Sequence, residues 1–86
     1  MGTKEKLIAK LLAGHSDANF DFDDIVRILL WHNFIERNGK GSHRVFFKKG
    51  INDMVNLQPA KGNKAKPYQV KQVREFLITN KLLMYE

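Results

Sequence analysis

The sequence predicts an α+β fold: an α-β-β-β-α sandwich whose three-stranded antiparallel sheet is covered by helices on one face, with an additional N-terminal helix. Three observations predict it. Apolar side chains recur at helical spacing through residues 22–30, residues 34–57 switch to alternation broken by glycine turns, and Pro67 opens a second helical pattern. Eighty-six residues have room for one core, so residues 1–86 form a single domain, with 1–20 as a helical extension and 21–80 as the core unit.

In the first segment, Leu7, Ile8, Leu11 and Leu12 form one stripe over residues 4–13, and Gly14 supplies a C-terminal stop. Ser16, Asp17 and Asn19 are turn formers. Asp21 is placed to cap the next helix, with Asp23 and Asp24 in its first turn, where the macrodipole favours anions. Phe22, Ile25, Val26, Leu29 and Leu30 form the apolar face of that helix, which ends near His32-Asn33.

Strands are expected from Phe34 to Arg37, from His43 to Lys48 and from Ile51 to Leu57, joined by Asn38-Gly39-Lys40-Gly41 and by Lys49-Gly50. A lysine-rich loop follows, from Pro59 to Lys66. Pro67 suits the first turn of the last helix, whose apolar face is Val70, Val73 and Leu77, with Phe76 beside it and Asn80 as terminator. Residues 82–85 fit either a short strand or a packed tail.

Composition narrows the chemistry. Hydrophobic residues at 43% and charged residues at 28% exclude a disordered chain. The absence of cysteine excludes disulfides and thiolate catalysis or ligation. No apolar run approaches the roughly 20 residues of a membrane span, and the N-terminus has no signal-peptide core, so a cytoplasmic protein without membrane association is expected.

The net charge of +6 is unevenly placed. Residues 37–74 carry ten basic side chains against the single acid Asp53, while the segments on either side are slightly acidic. Such a block suits a polyanion-binding face, and uneven surface charge for solubility is the plainer alternative. Within it, Lys61, Lys64 and Lys66 lead into a helix N-terminus, where orphan N–H groups favour phosphate. Lys71 and Arg74 extend the strip along the helix.

Of the three histidines, His43 stands apart. It lies in the glycine hairpin with Lys40, Gly41, Ser42 and Arg44 around it and Lys48 and Lys49 on the same hairpin. Imidazole titrates near neutral pH and serves as general acid or base, and nearby cations stabilise charge developing at a phosphate. Gly41 permits close backbone approach and Ser42 offers a hydroxyl donor. RNA brings its own nucleophile, the 2′-hydroxyl, so this chemistry needs no metal or other cofactor. A strand-edge histidine with a structural hydrogen bond is the alternative.

His32 and His15 are read as structural residues at helix ends, and Trp31 and Phe34 as core. Asp21, Asp23 and Asp24 are read as capping and first-turn charges rather than a metal site.

Trp31-His32-Asn33-Phe34, then Gly41-Ser42-His43, an aromatic strand, Gly50, Val55-Asn56-Leu57 and a lysine-rich loop into Pro67 together resemble the HicA toxin family over residues 22–80. The resemblance implies a fold like the double-stranded-RNA-binding domain (dsRBD). It also implies an endoribonuclease, a messenger-RNA interferase that arrests translation, with His43 as its catalytic histidine and a HicB-like antitoxin as its protein partner. Arg44 stands where many members carry a second histidine, and the helix at 4–13 lies outside the minimal pattern. A non-catalytic dsRBD-like RNA-binding module, or a toxin-derived protein that has lost activity, are the competing expectations.

Overall fold

A computed structural model describes residues 2–38 and 43–80. The chain runs α1 (Thr3–Ala13), α2 (Phe22–Trp31), β1 (Ile35–Asn38), β2 (Arg44–Phe47), β3 (Val55–Leu57) and α3 (Pro67–Thr79), with short 3-10 turns at Asp17–Asn19 and Lys61–Asn63. The α+β class, the three helices and the three-stranded antiparallel meander follow the expectation. Strand order is β1-β2-β3.

Local chemistry sets the helix ends. Gly14, at φ 74°, closes α1 in the left-handed conformation that a Cβ disfavours. At the end of α2, Asn33 takes the same conformation at φ 67°. Its N–H donates to Leu30 O and the Phe34 N–H to Leu29 O, which makes a Schellman motif with Phe34 and Leu29 both in the core. Pro67 occupies the first turn of α3, and the Asn80 side chain closes its end by donating to Phe76 O at 2.9 Å.

The core gathers all the layers. Phe46, Val55 and Leu57 on one sheet face meet Phe22, Ile25 and Leu29 of α2 and Val70, Val73 and Leu77 of α3. Leu11 of α1 and Phe20 are fully buried in the same cluster, and Ile8 is also buried, so packing runs across residue 20 without a break. The Arg74 guanidinium adds a tie from α3, donating to both carboxylate oxygens of Asp17 and to Leu11 O.

Several local expectations are corrected. On α2, Ile28 is fully buried and Leu30 is 46% exposed, the reverse of the expected edge of the stripe. Asp21 sits at the N-cap of α2 but makes no side-chain cap; its carboxylate accepts from Lys64 Nζ at 2.7 Å. The expected strand over Ile51–Leu57 shortens to Val55–Leu57, because β2 offers partners only from Phe46 back to Arg44. Residues 48–51 form the turn expected at Lys49-Gly50, with Ile51 N–H donating to Lys48 O and Gly50 at φ 93°. The expectation for residues 82–85 lies outside the described residues.

Candidate functional site

Side chains alternate between the faces of a strand, so the register sorts the hairpin residues. Phe46 is fully buried on the helix-covered face. His43, Val45 and Phe47 therefore belong to the other, open face, together with Arg37 and Asn56, which pair across the sheet with Val45. His43 immediately precedes β2 and is exposed. Its Nδ1 lies 3.3 Å from the Asn56 side-chain oxygen.

An amide oxygen only accepts, so this contact is a hydrogen bond in the Nδ1–H tautomer, with Nδ1 donating. In neutral imidazole that leaves Nε2 with its lone pair. Asn56 was not singled out in the sequence, although it is the one polar side chain between Val55 and Leu57. Antiparallel register is what brings it to His43.

The same end of the sheet meets the start of α3. Gln58 N–H donates to Gln69 Oε1 at 3.2 Å, and Lys66 Nζ, at the N-cap of α3, reaches Gln58 Oε1 at 3.5 Å. His43 and Asn56 thus lie beside the strand end to which Lys66 is tied. The loop that carries Lys66 is compact. Ala60 N–H donates to Lys64 O, and Ala65, itself buried, donates to Phe20 O at 2.9 Å. Lys61 is exposed on its outer turn and has no partner among the described residues.

Four cations expected on an RNA face have partners of their own in the fold. Arg44 points to the helix-covered face, where its guanidinium binds both carboxylate oxygens of Glu36, one at 2.7 Å, and lies 5.3 Å from the Phe22 ring. The hydrogen bond from Arg44 holds the Glu36 carboxyl below its ordinary value, and Glu36 holds Arg44 above its own. Lys48 donates to His32 O at 3.0 Å, supplying a cation at the C-terminal end of α2.

Lys64 pairs with Asp21 and lowers its pKa through the same hydrogen bond. Arg74 is paired with Asp17, which raises the pKa of the guanidinium. Adjacency to His43 in sequence, as for Arg44, therefore places a residue on the opposite side of the sheet.

Lys71 is exposed and lines a shallow groove of about 490 Å³ with Asp53, Tyr68, Phe76 and Asn80, whose walls do not include His43. Lys40, Gly41 and Ser42 lie outside the described residues. His32 is buried, and its Nδ1 donates to Ile28 O at 2.7 Å, which stabilises the last turn of α2. Phe34 is buried and packs edge-on against Phe76 at 5.8 Å, and Trp31 packs against the core. Among the described residues, no group of three or more His, Cys, Asp or Glu side chains is placed to hold a metal. No helix among them is long and apolar enough to cross a membrane. No family model matches the chain, and neither the curated proteins nor the solved structures contain a match.

Proposed function

We propose that the protein is a ribonuclease of the HicA toxin type, built on a dsRBD-like scaffold, that cuts RNA without a metal. The single observation that carries this reading is the His43–Asn56 contact. It leaves an exposed imidazole with Nε2 available as a base, on a sheet face that bears no strand carboxylate. Helix, meander and helix in sequence order support the scaffold part of the proposal.

In this mechanism, RNA supplies the nucleophile. His43 Nε2 takes the proton from a ribose 2′-hydroxyl as its oxygen attacks the adjacent phosphorus. The bond from phosphorus to the 5′ oxygen breaks, that oxygen takes a proton from solvent, and the products end in a 2′,3′-cyclic phosphate and a 5′-hydroxyl. Lys66 supplies positive charge at the same end of the sheet, where negative charge grows on the phosphoryl oxygens.

A chain with this activity requires restraint in its own cell. A co-encoded, acidic HicB-like antitoxin covering the basic face is the partner the reading implies, and translation arrest in the cytoplasm is its consequence.

The deciding experiment incubates the purified protein with total RNA in EDTA, beside His43→Ala. Cleavage by the parent alone is the expected result. Intact RNA that both proteins bind in a salt-sensitive manner would replace the ribonuclease with a binding module.

A further inference from the structure

The open face of the sheet carries more than a histidine. Arg37 and Asn56 flank Val45 across the register, and Ile35 stands beside Phe47. The Arg37 guanidinium lies 5.9 Å from the centre of the Phe47 ring. Arg37 is exposed, Phe47 half-buried, and Ile35 54% exposed, so a planar cation and an aromatic ring reach the surface together. The only carboxylate in the three strands is Glu36, which lies on the opposite face, paired with Arg44. Phe47 is four residues beyond His43 on the same face, roughly 13 Å along an extended chain.

We propose that this face is a track for a single strand of RNA, with one unpaired base stacked on the Phe47–Arg37 pair while the phosphate chain passes His43. The role given to His43 rests on the ribonuclease reading; the stacking platform does not. Bases in a duplex hide their flat faces in the stack, whereas an unpaired base offers one to an aromatic ring or a guanidinium plane. A duplex grip would call on cations spread over several elements, and Arg44, Lys48, Lys64 and Arg74 are held by partners of their own. A face whose exposed Arg37 pairs with no carboxylate among the described residues, and whose strands carry none there, complements a polyanion. An acidic protein partner is the competing occupant.

The test is fluorescence anisotropy with a 2′-O-methyl oligonucleotide, which lacks the nucleophile and so reports binding alone. It is presented as a single strand, annealed to its complement, and with abasic positions replacing its bases. The parent should bind the single strand more tightly than the duplex and more tightly than the abasic strand. Phe47→Leu should weaken single-strand binding about 5- to 100-fold and abolish the preference for bases over abasic sites.

Arg37→Met should weaken it in the same direction, and since Arg37 is exposed, this variant decides the matter if Phe47→Leu fails to fold. Unchanged affinity in a folded variant, or equal binding of duplex and single strand, overturns the proposal and leaves the face to a protein. A parent that shows these preferences yet leaves RNA intact in EDTA removes the ribonuclease and keeps the platform. A parent that cuts RNA without them does the reverse.

Discussion

Asn56 on β3 presents its side-chain oxygen to Nδ1 of His43, thirteen residues earlier, across the open face of the sheet. The contact favours the Nδ1–H tautomer, and under the proposed ribonuclease mechanism Asn56 is a positioning residue. Asn56→Leu should lower kcat about 10- to 100-fold, the usual penalty for a misdirected catalytic group, with KM little changed. Asn56→Asp keeps an acceptor and adds a negative charge that favours imidazolium, so activity should survive at high pH while the acidic limb of the pH–rate profile moves upward. Nitrogen NMR of the imidazole should report the Nδ1–H tautomer in the parent and a mixture in Asn56→Leu. A parent already mixed would deny Asn56 this role.

Arg74 was expected to meet RNA and instead joins three segments of the fold. Its side chain is 15% exposed and that of Asp17 is 22%, so removing the cation strands a largely shielded carboxylate and leaves Leu11 O without its donor. Arg74→Met should cost about 2 kcal/mol in urea unfolding, within the range for hydrogen bonds to charged groups. Under conditions where it is folded, RNA cleavage per molecule should match the parent. A variant that unfolds like the parent but loses RNA affinity would return Arg74 to the nucleic-acid face.

What the sequence made legible follows from how local each signal is. Gly14, Asn33 and Pro67 act within a turn of their own positions, and all three helix ends fall where expected. The margin of α2 was not legible. Ile28 and Leu30 sit on opposite edges of the stripe, each about 100° from its centre line, and tertiary neighbours decide which edge is covered.

His43 could be singled out because it follows Gly41-Ser42 in the basic stretch of the sequence; its partner could not, because register joins residues that have no spacing rule between them. The same geometry separates Arg44 from His43. One step along a strand is half a turn about its axis, so the nearest cation in sequence lies on the far face.

Glu36 makes the fold sensitive to acid. Its carboxyl pKa is lowered in the folded protein by Arg44, so the folded state holds the ionised form more strongly than the unfolded chain does. The contribution is present in full above the unfolded carboxylate pKa, near 4.3, and is lost as pH falls through the lower folded value. Urea midpoints should therefore drop between about pH 5 and pH 3 in the parent. Glu36→Gln should be less stable at pH 7 and show a shallower drop over that window. Parallel profiles for the two proteins would mean that the pair contributes no pH dependence.

The lysines before α3 divide by what already holds them. Lys64 is engaged with Asp21, whereas among the described residues Lys61 has no partner and Lys66 reaches the neutral side chain of Gln58 at the limit of hydrogen bonding. A cation already neutralised by a carboxylate releases little when it meets a phosphate, because its counter-charge is part of the protein. Each phosphate contact on single-stranded nucleic acid contributes about 0.7 to the slope of log affinity against log salt. Lys61→Ala with Lys66→Ala should thus reduce that slope by up to about 1.4, measured with the uncleavable single strand. Lys64→Ala should leave the slope nearly unchanged and cost only the modest stability of an exposed ion pair. If instead Lys64→Ala carries the larger loss of slope, Lys64 exchanges Asp21 for phosphate on binding, by rotation of its exposed side chain.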